Sequence, residues 1–241
     1  MKLLCAALLA LLLPAFSALA QLDVEVVLDQ DKFLPGESFM AGIRIVNQSG
    51  QTLHLGEEAD WAQFTIERQG GGSVRQEKEP PVKGGFDLES SKRATVTVDL
   101  EPCFDLRKPG VYLIGGSVRI KEWNKAIIAK PVRFEVVEGT KLWEQEFGVP
   151  PATCSTQPPE VRKYTLQEAN YHKKELRLYL RVSTASDFVI KMLNIGQMIS
   201  FGRPEQRIDA QSRLHLLYQN SAKSFVYYVV TPDGVITTRQ T

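Results

Sequence analysis

Histidine, cysteine and clustered carboxylates are the side chains with which this 241-residue chain could do covalent or metal chemistry, and the first two are scarce. His54 sits between Leu53 and Leu55, and His215 between Leu214 and Leu216, so each reads as a strand residue pointing away from its apolar neighbours. His172 lies in a lysine-rich turn with Lys173 and Lys174. There is no Gly-x-Ser-x-Gly elbow, His-Glu-x-x-His pair, Cys-x-x-Cys, phosphate-cradling glycine loop or EF-hand loop. Asp29 with Asp31, and Glu57 and Glu58 with Asp60, could serve as acid and base or hold calcium. Short acidic groups at strand ends are ordinarily solvated turns, and these are read as such. No catalytic residue, metal ligand or cofactor is assigned from the residue pattern.

The chain begins with Lys2, an apolar run from Leu3 to Leu13, Pro14, and small residues at Ala18 and Ala20. This describes a secretory signal peptide over residues 1–20, cut after Ala20, and predicts a secreted or periplasmic protein. The apolar run is shorter than the roughly 20 residues that span a bilayer, and no second one follows, so no integral membrane segment is expected after processing. Processing removes Lys2 and no carboxylate, leaving 28 basic against 28 acidic residues. That balance argues against a nucleic-acid or anionic-membrane partner, which needs surplus Lys and Arg on one face. Cys103 and Cys154 survive processing, and in an oxidising compartment a single disulfide is the simplest reading. Two unrelated, partly buried thiols are the alternative.

What must position any site is a series of strands. Apolar residues recur at every second position: Leu22, Val24, Val26, Leu28; Phe39, Ala41, Ile43, Ile45; Phe64, Ile66; Ala94, Val96, Val98; Tyr112, Ile114, Val118, Ile120; and Val132, Phe134, Val136. Between them lie turn-forming clusters such as Leu34-Pro35-Gly36-Glu37, Asn47-Gln48-Ser49-Gly50 and Lys108-Pro109-Gly110. Strands at this spacing predict an all-β protein with a β-sandwich over residues 21–138. Asn47-Gln48-Ser49 also matches an N-glycosylation acceptor.

Asp31 to Glu37 followed by Ile43-Arg44-Ile45-Val46-Asn47, with Lys108-Pro109-Gly110-Val111-Tyr112 later, resembles bacterial immunoglobulin-like domains, including macroglobulin-type and proteinase-inhibitor-like modules. The resemblance implies that the Pro-Gly-Glu turn joins the first two strands and that the tyrosine packs near a corner. It implies a scaffold and no particular activity.

Residues 139–159 break the alternation, and Pro150, Pro151, Pro158 and Pro159 predict a stiff, proline-rich linker. Trp143 and Phe147 in it are read as an anchor between linker and domain, or as partner contacts. Residues 160–241 return to strands around Leu176, Leu178, Leu180 and Val182, Phe188 to Leu193, Leu214 to Tyr218 and Phe225 to Val230, closing on an Asp233-Gly234 hairpin. Tyr164 to Tyr171 reads as a strand rather than a helical turn. Asp209 to Tyr218 with the strand and hairpin after it is similar to one blade of sialidase-like β-propellers. The resemblance implies a smaller domain built on one antiparallel sheet; the apolar side chains of these strands are more than one solvated sheet should leave uncovered, so one face is expected to pack on the sandwich through Trp143 and Phe147, or on a second copy.

The function these features suggest is non-enzymatic binding or assembly outside the cytoplasm, with an unknown protein or glycan partner. The excursion from Gln69 to Phe86, which holds Glu77 and Glu79, is the candidate gripping loop. A proteinase inhibitor presenting that loop is one alternative. A glycan-binding module using Trp61, Trp123 and Trp143 is another.

Overall fold

Leu22, Val24 and Val26 alternate along the first strand, and all three are buried. The computed structural model describes residues 22–82, 84–149, 160–171 and 175–241. Its first ten strands are β1 (Leu22–Leu28), β2 (Lys32–Phe33), β3 (Met40–Asn47), β4 (Leu53–Leu55), β5 (Ala62–Arg68), β6 (Phe86–Leu88), β7 (Arg93–Asp99), β8 (Gly110–Ile120), β9 (Lys125–Ile128) and β10 (Val132–Val136). One sheet has the order β1-β3-β7 and the other β2-β10-β8-β5, with β9 paired to β8. All these pairs are antiparallel except β2 on β10. Ile43 and Ile45 of one sheet meet Phe64, Ile66, Ile114 and Phe134 of the other in one core. The sheets approach closely at Gly116, where an added Cβ would lie 2.8 Å from Val26.

Leu34-Pro35-Gly36-Glu37 forms a hydrogen-bonded turn, with Glu37 N donating to Leu34 O at 3.0 Å and Gly36 at φ +80°. Pro in the second position and a left-handed Gly in the third are what a type II turn requires. The turn also touches the second half of the chain, since a Cβ on Gly36 would lie 3.0 Å from Val189. Gly36→Ala should therefore lower stability by about 1 to 2 kcal/mol, mainly from the left-handed dihedral. Urea unfolding of the two proteins checks this.

The second half carries eight strands: β11 (Thr140–Gly148), β12 (Val161–Tyr171), β13 (Glu175–Thr184), β14 (Val189–Gln197), β15 (Glu205–Ile208), β16 (Leu214–Ser221), β17 (Ser224–Val230) and β18 (Ile236–Gln240). They form two four-stranded sheets, β11-β12-β13-β14 and β15-β16-β17-β18, each antiparallel throughout. The strand expected at Tyr164 to Tyr171 is part of β12. Inward faces carrying Tyr164, Leu166, Leu178, Leu180 and Val182 on one sheet, and Leu214, Leu216, Tyr218, Val226, Tyr228 and Val230 on the other, share one core. Each sheet covers the other, so the domain closes its own core, and the expectation of one sheet needing an outside cover is corrected.

The linker expected over residues 139–159 is corrected at its start, because Thr140 to Gly148 is a paired edge strand. A register shift between Lys141 and Trp143 breaks the alternation that would have marked it. Residues 150–159 lie outside the described residues. Phe147 is buried and stacks on Tyr164, ring centroids 4.2 Å apart at 16°. Trp143 packs half-buried against the same core. Neither residue docks the two halves together. That contact is made by Leu34 of the turn, with Val137, against Ala169, Tyr179 and Met192 on the outer face of the β11–β14 sheet.

Among the described residues no helix is long and apolar enough to cross a membrane. The signal peptide and Cys154 lie outside the described residues, so the pairing of Cys103 with Cys154 does too. Cys103 itself is buried, and its thiol faces Asp99 O at 3.8 Å.

Candidate functional site

Between the two sandwiches the turns of one meet a hairpin of the other and leave a cleft of about 490 Å³. Its walls are Gly36 of the type II turn, Glu77 of the β5–β6 excursion, Glu101 to Arg107 of the β7–β8 connection, and Ser186 to Val189 of the β13–β14 turn. Asp187 holds that last turn in the left-handed region at φ +65°, with Thr184 N donating to Phe188 O at 2.9 Å. Tightened in this way, the turn leaves Phe188 67 % exposed at the cleft rim. A second hollow of about 440 Å³ shares Arg107, Asp187 and Val189 and adds Lys141, Gln167 and Arg181.

Charge in the cleft is mostly paired. Asp105 accepts from Arg107 Nε at 2.7 Å, which holds its carboxyl below the ordinary range. Asp187 is held low in the same way by the buried Lys163, whose Nζ lies 2.5 Å away. Glu77 lies 3.5 Å from Arg75. Beside the second hollow, Glu144 accepts from Thr165 Oγ1 at 3.0 Å and pairs with Lys141 Nζ at 3.3 Å. Glu101 differs: it is half-buried, and burial and repulsion from Asp99 push its carboxyl above the ordinary value, while Lys191 pulls the other way.

Behind the cleft lies Glu37, buried at the junction itself. Its Oε2 accepts from Leu34 N at 2.9 Å, and its Oε1 from Gln30 Nε2 at 3.2 Å and Asn194 Nδ2 at 3.4 Å across the junction. Tyr179 also bonds it. Burial outweighs these bonds and raises its pKa.

A second polar cluster lies on the outer face of the β15–β18 sheet. His215 Nε2 meets Asp209 Oδ2 at 3.0 Å and His215 Nδ1 meets Tyr227 Oη at 2.5 Å. Burial pushes Asp209 up, but His215, Arg213 and the Gln211 and Arg213 amides together hold its carboxyl well below the carboxylate range. With both ring nitrogens occupied inside the sheet, the cluster pins the β15–β16 turn.

The residues nominated from sequence are scattered. Glu77 lines the cleft, while Glu79 is exposed elsewhere on the same excursion. That excursion is tied down: Val82 is buried beneath Trp61, whose Nε1 donates to Val82 O at 3.1 Å, and Glu77 N donates to Cys103 O at 2.8 Å. Trp61 is 3 % exposed and has no face to offer a ligand. Phe147 is buried, which corrects its reading as a partner contact, whereas Trp143 lines a hollow of about 440 Å³ with Lys141, Arg203 and Gln206. Asn47 is fully buried, with Nδ2 donating to Gln51 O and Leu88 O, each at 2.8 Å, so the glycosylation match is not accessible in the fold. His54 is exposed and pairs with Asp87 at 2.6 Å across β4 and β6. Among the described residues no three His, Cys, Asp or Glu side chains converge as a metal site. Glu101, Arg107, Asp187 and Phe188 are the residues that sequence reasoning missed; an exposed Phe directly after a Ser-Asp turn was the available signal.

No family model matches the chain, and no curated protein matches it. Among solved structures it is similar to Spo0M, the sporulation control protein of Bacillus subtilis. The match has a TM-score of 0.34 and 11% identity, covering 67% of this chain and 79% of that one, a likeness too slight to bear on fold or function.

Proposed function

We propose that this protein is an exported, non-enzymatic binding protein, secreted or periplasmic, that holds a partner in the cleft between its two sandwiches. The observation that carries this is the cleft rim: a large aromatic side chain stands in water on a turn locked by its own hydrogen bonds. The cleft volume falls in the range of about 300 to 1,000 Å³ usual for ligand sites, which favour such junctions. The first sandwich is read as an immunoglobulin-like scaffold. Parallel pairing of β2 on β10 supports this, as does Tyr112 Oη donating to Lys108 O at 2.5 Å at the start of β8.

The test compares tagged mature protein with its Phe188→Ser variant for capture of partners from envelope and culture fluid. The wild type should retain a species that the variant loses, with equal melting curves. Equal capture by both, or robust turnover of ester, peptide or glycoside substrates, overturns the reading. A second reading, glycan binding, is favoured by the hollow at Trp143, since an aromatic face flanked by Arg203 and Gln206 suits a sugar ring. Loss of glycan-array signal in Trp143→Ala checks it.

A further inference from the structure

Counting charge in the cleft gives its partner a chemistry. Three carboxylates in its walls have cationic neighbours: Glu77 with Arg75, Asp105 with Arg107 and Asp187 with Lys163. Glu101 forms no salt bridge among the described residues. Of the charges acting on it, Asp99 is the stronger and is repulsive, and it already accepts from Ser38 Oγ at 2.7 Å, Phe39 N at 2.9 Å and Glu101 N at 3.1 Å, while Lys191 attracts it without forming a salt bridge. Glu101 is therefore the one carboxylate among the described cleft walls without a cation in direct contact, and it lies at the half-buried wall rather than at the rim.

The surroundings select the kind of cation. Pro102, Phe104, Leu106, Phe188 and Val189 supply apolar wall to the same cleft. A divalent metal ion needs several oxygen ligands at once, and the other wall carboxylates are engaged. A long side chain with methylenes and a terminal charge fits, because lysine and arginine lay their stems on apolar surface and place the charge at a polar end. The exposed ring of Phe188 adds an apolar face on which such methylenes can lie.

We propose that the cleft takes one lysine or arginine side chain of an extended partner segment, its charge on Glu101 and its methylenes against Phe188 and Pro102. This rests on the cleft being the binding site.

The test is fluorescence anisotropy of full-length mature protein with labelled seven-residue peptides carrying a central lysine, arginine, glutamate or norleucine among alanines. Norleucine keeps the methylenes and removes the charge. Lysine and arginine peptides should bind at least about tenfold more tightly than the norleucine and glutamate ones, the size expected for a desolvated cation on a carboxylate. Glu101→Gln should erase the preference for lysine over norleucine without changing the melting temperature. Phe188→Ala should weaken both peptides alike. Equal affinity for lysine and norleucine, an unchanged lysine affinity in Glu101→Gln, or no binding of any cationic peptide overturns the proposal. If Phe188→Ser still abolishes capture of the natural partner, the cleft survives as the site and only the cation is wrong; if it does not, both fall.

Discussion

Phe147→Ala should destabilise the protein by about 3 to 5 kcal/mol, the cost of truncating a buried aromatic side chain. The ring is 7 % exposed, on an edge strand, and stacks on Tyr164, which is itself fully buried. Tyr164 Oη donates to Ser212 O at 3.0 Å and lies 3.4 Å from Val230 O, so it fastens the β11–β14 sheet to the facing one. Losing Phe147 leaves a cavity beside that fastening and removes the one buried side chain by which β11 holds to the core. Phe147→Leu, which fills most of the volume, should cost much less. Urea unfolding of the three proteins decides it: a loss below about 1 kcal/mol for the alanine variant would mean that β11 contributes little to the core. The same geometry predicts that a fragment of residues 139–241 melts cooperatively, whereas residues 160–241, lacking β11, do not.

Why β11 escaped sequence reasoning, while β1 and β8 did not, is a matter of how each strand is buried. β1 and β8 have one face in the core and alternate cleanly through Leu22, Val24 and Val26, and through Tyr112, Ile114 and Val118. β11 lies at an edge, buries one residue and carries a bulge, so nothing periodic marks it. Strands of two or three residues such as β2, β4 and β6 are too short to show any period. The Pro35-Gly36 turn was legible because its dihedrals demand those residues. The partnership of two four-stranded sheets was not, since alternation says which side chains share a face and not what that face meets. Thr165, Tyr179 and Ser183 look like solvated positions opposite Leu166, Leu178, Leu180 and Val182, yet all three are buried. Tyr179 lies under the first sandwich. The cleft was hidden for the same reason, because its walls come from four turns far apart in the chain, and Glu77 alone among them stood out as a contact residue.

Glu37→Ala should loosen the junction between the sandwiches, because a single carboxylate there serves both. Four groups would lose their acceptor at once: Leu34 N and Gln30 on one side, Asn194 and Tyr179 on the other. Each buried polar group left unsatisfied costs about 1 to 3 kcal/mol, so a loss of at least about 3 kcal/mol is expected even after relaxation, and the variant should melt in two separate transitions where the wild type is expected to melt in one. Glu37→Gln separates charge from shape, since its carbonyl can accept from Leu34 N while the amides of Gln30 and Asn194 turn to present oxygen. The sign of the pH effect follows from burial. The groups bonded to Glu37 are neutral, so burial dominates and its folded-state pKa lies above the ordinary 4.5. The protonated form is therefore the one the fold favours, and the stability gained from it is fully present below pH 4.5 and lost as pH rises through the folded value. Relative to Glu37→Gln, the wild type should lose stability as the pH rises from below 4.5 through the raised folded-state pKa. Urea midpoints of both proteins across that range measure the difference. Parallel pH profiles would show that the Glu37 carboxylate is as well solvated in the junction as in the unfolded chain.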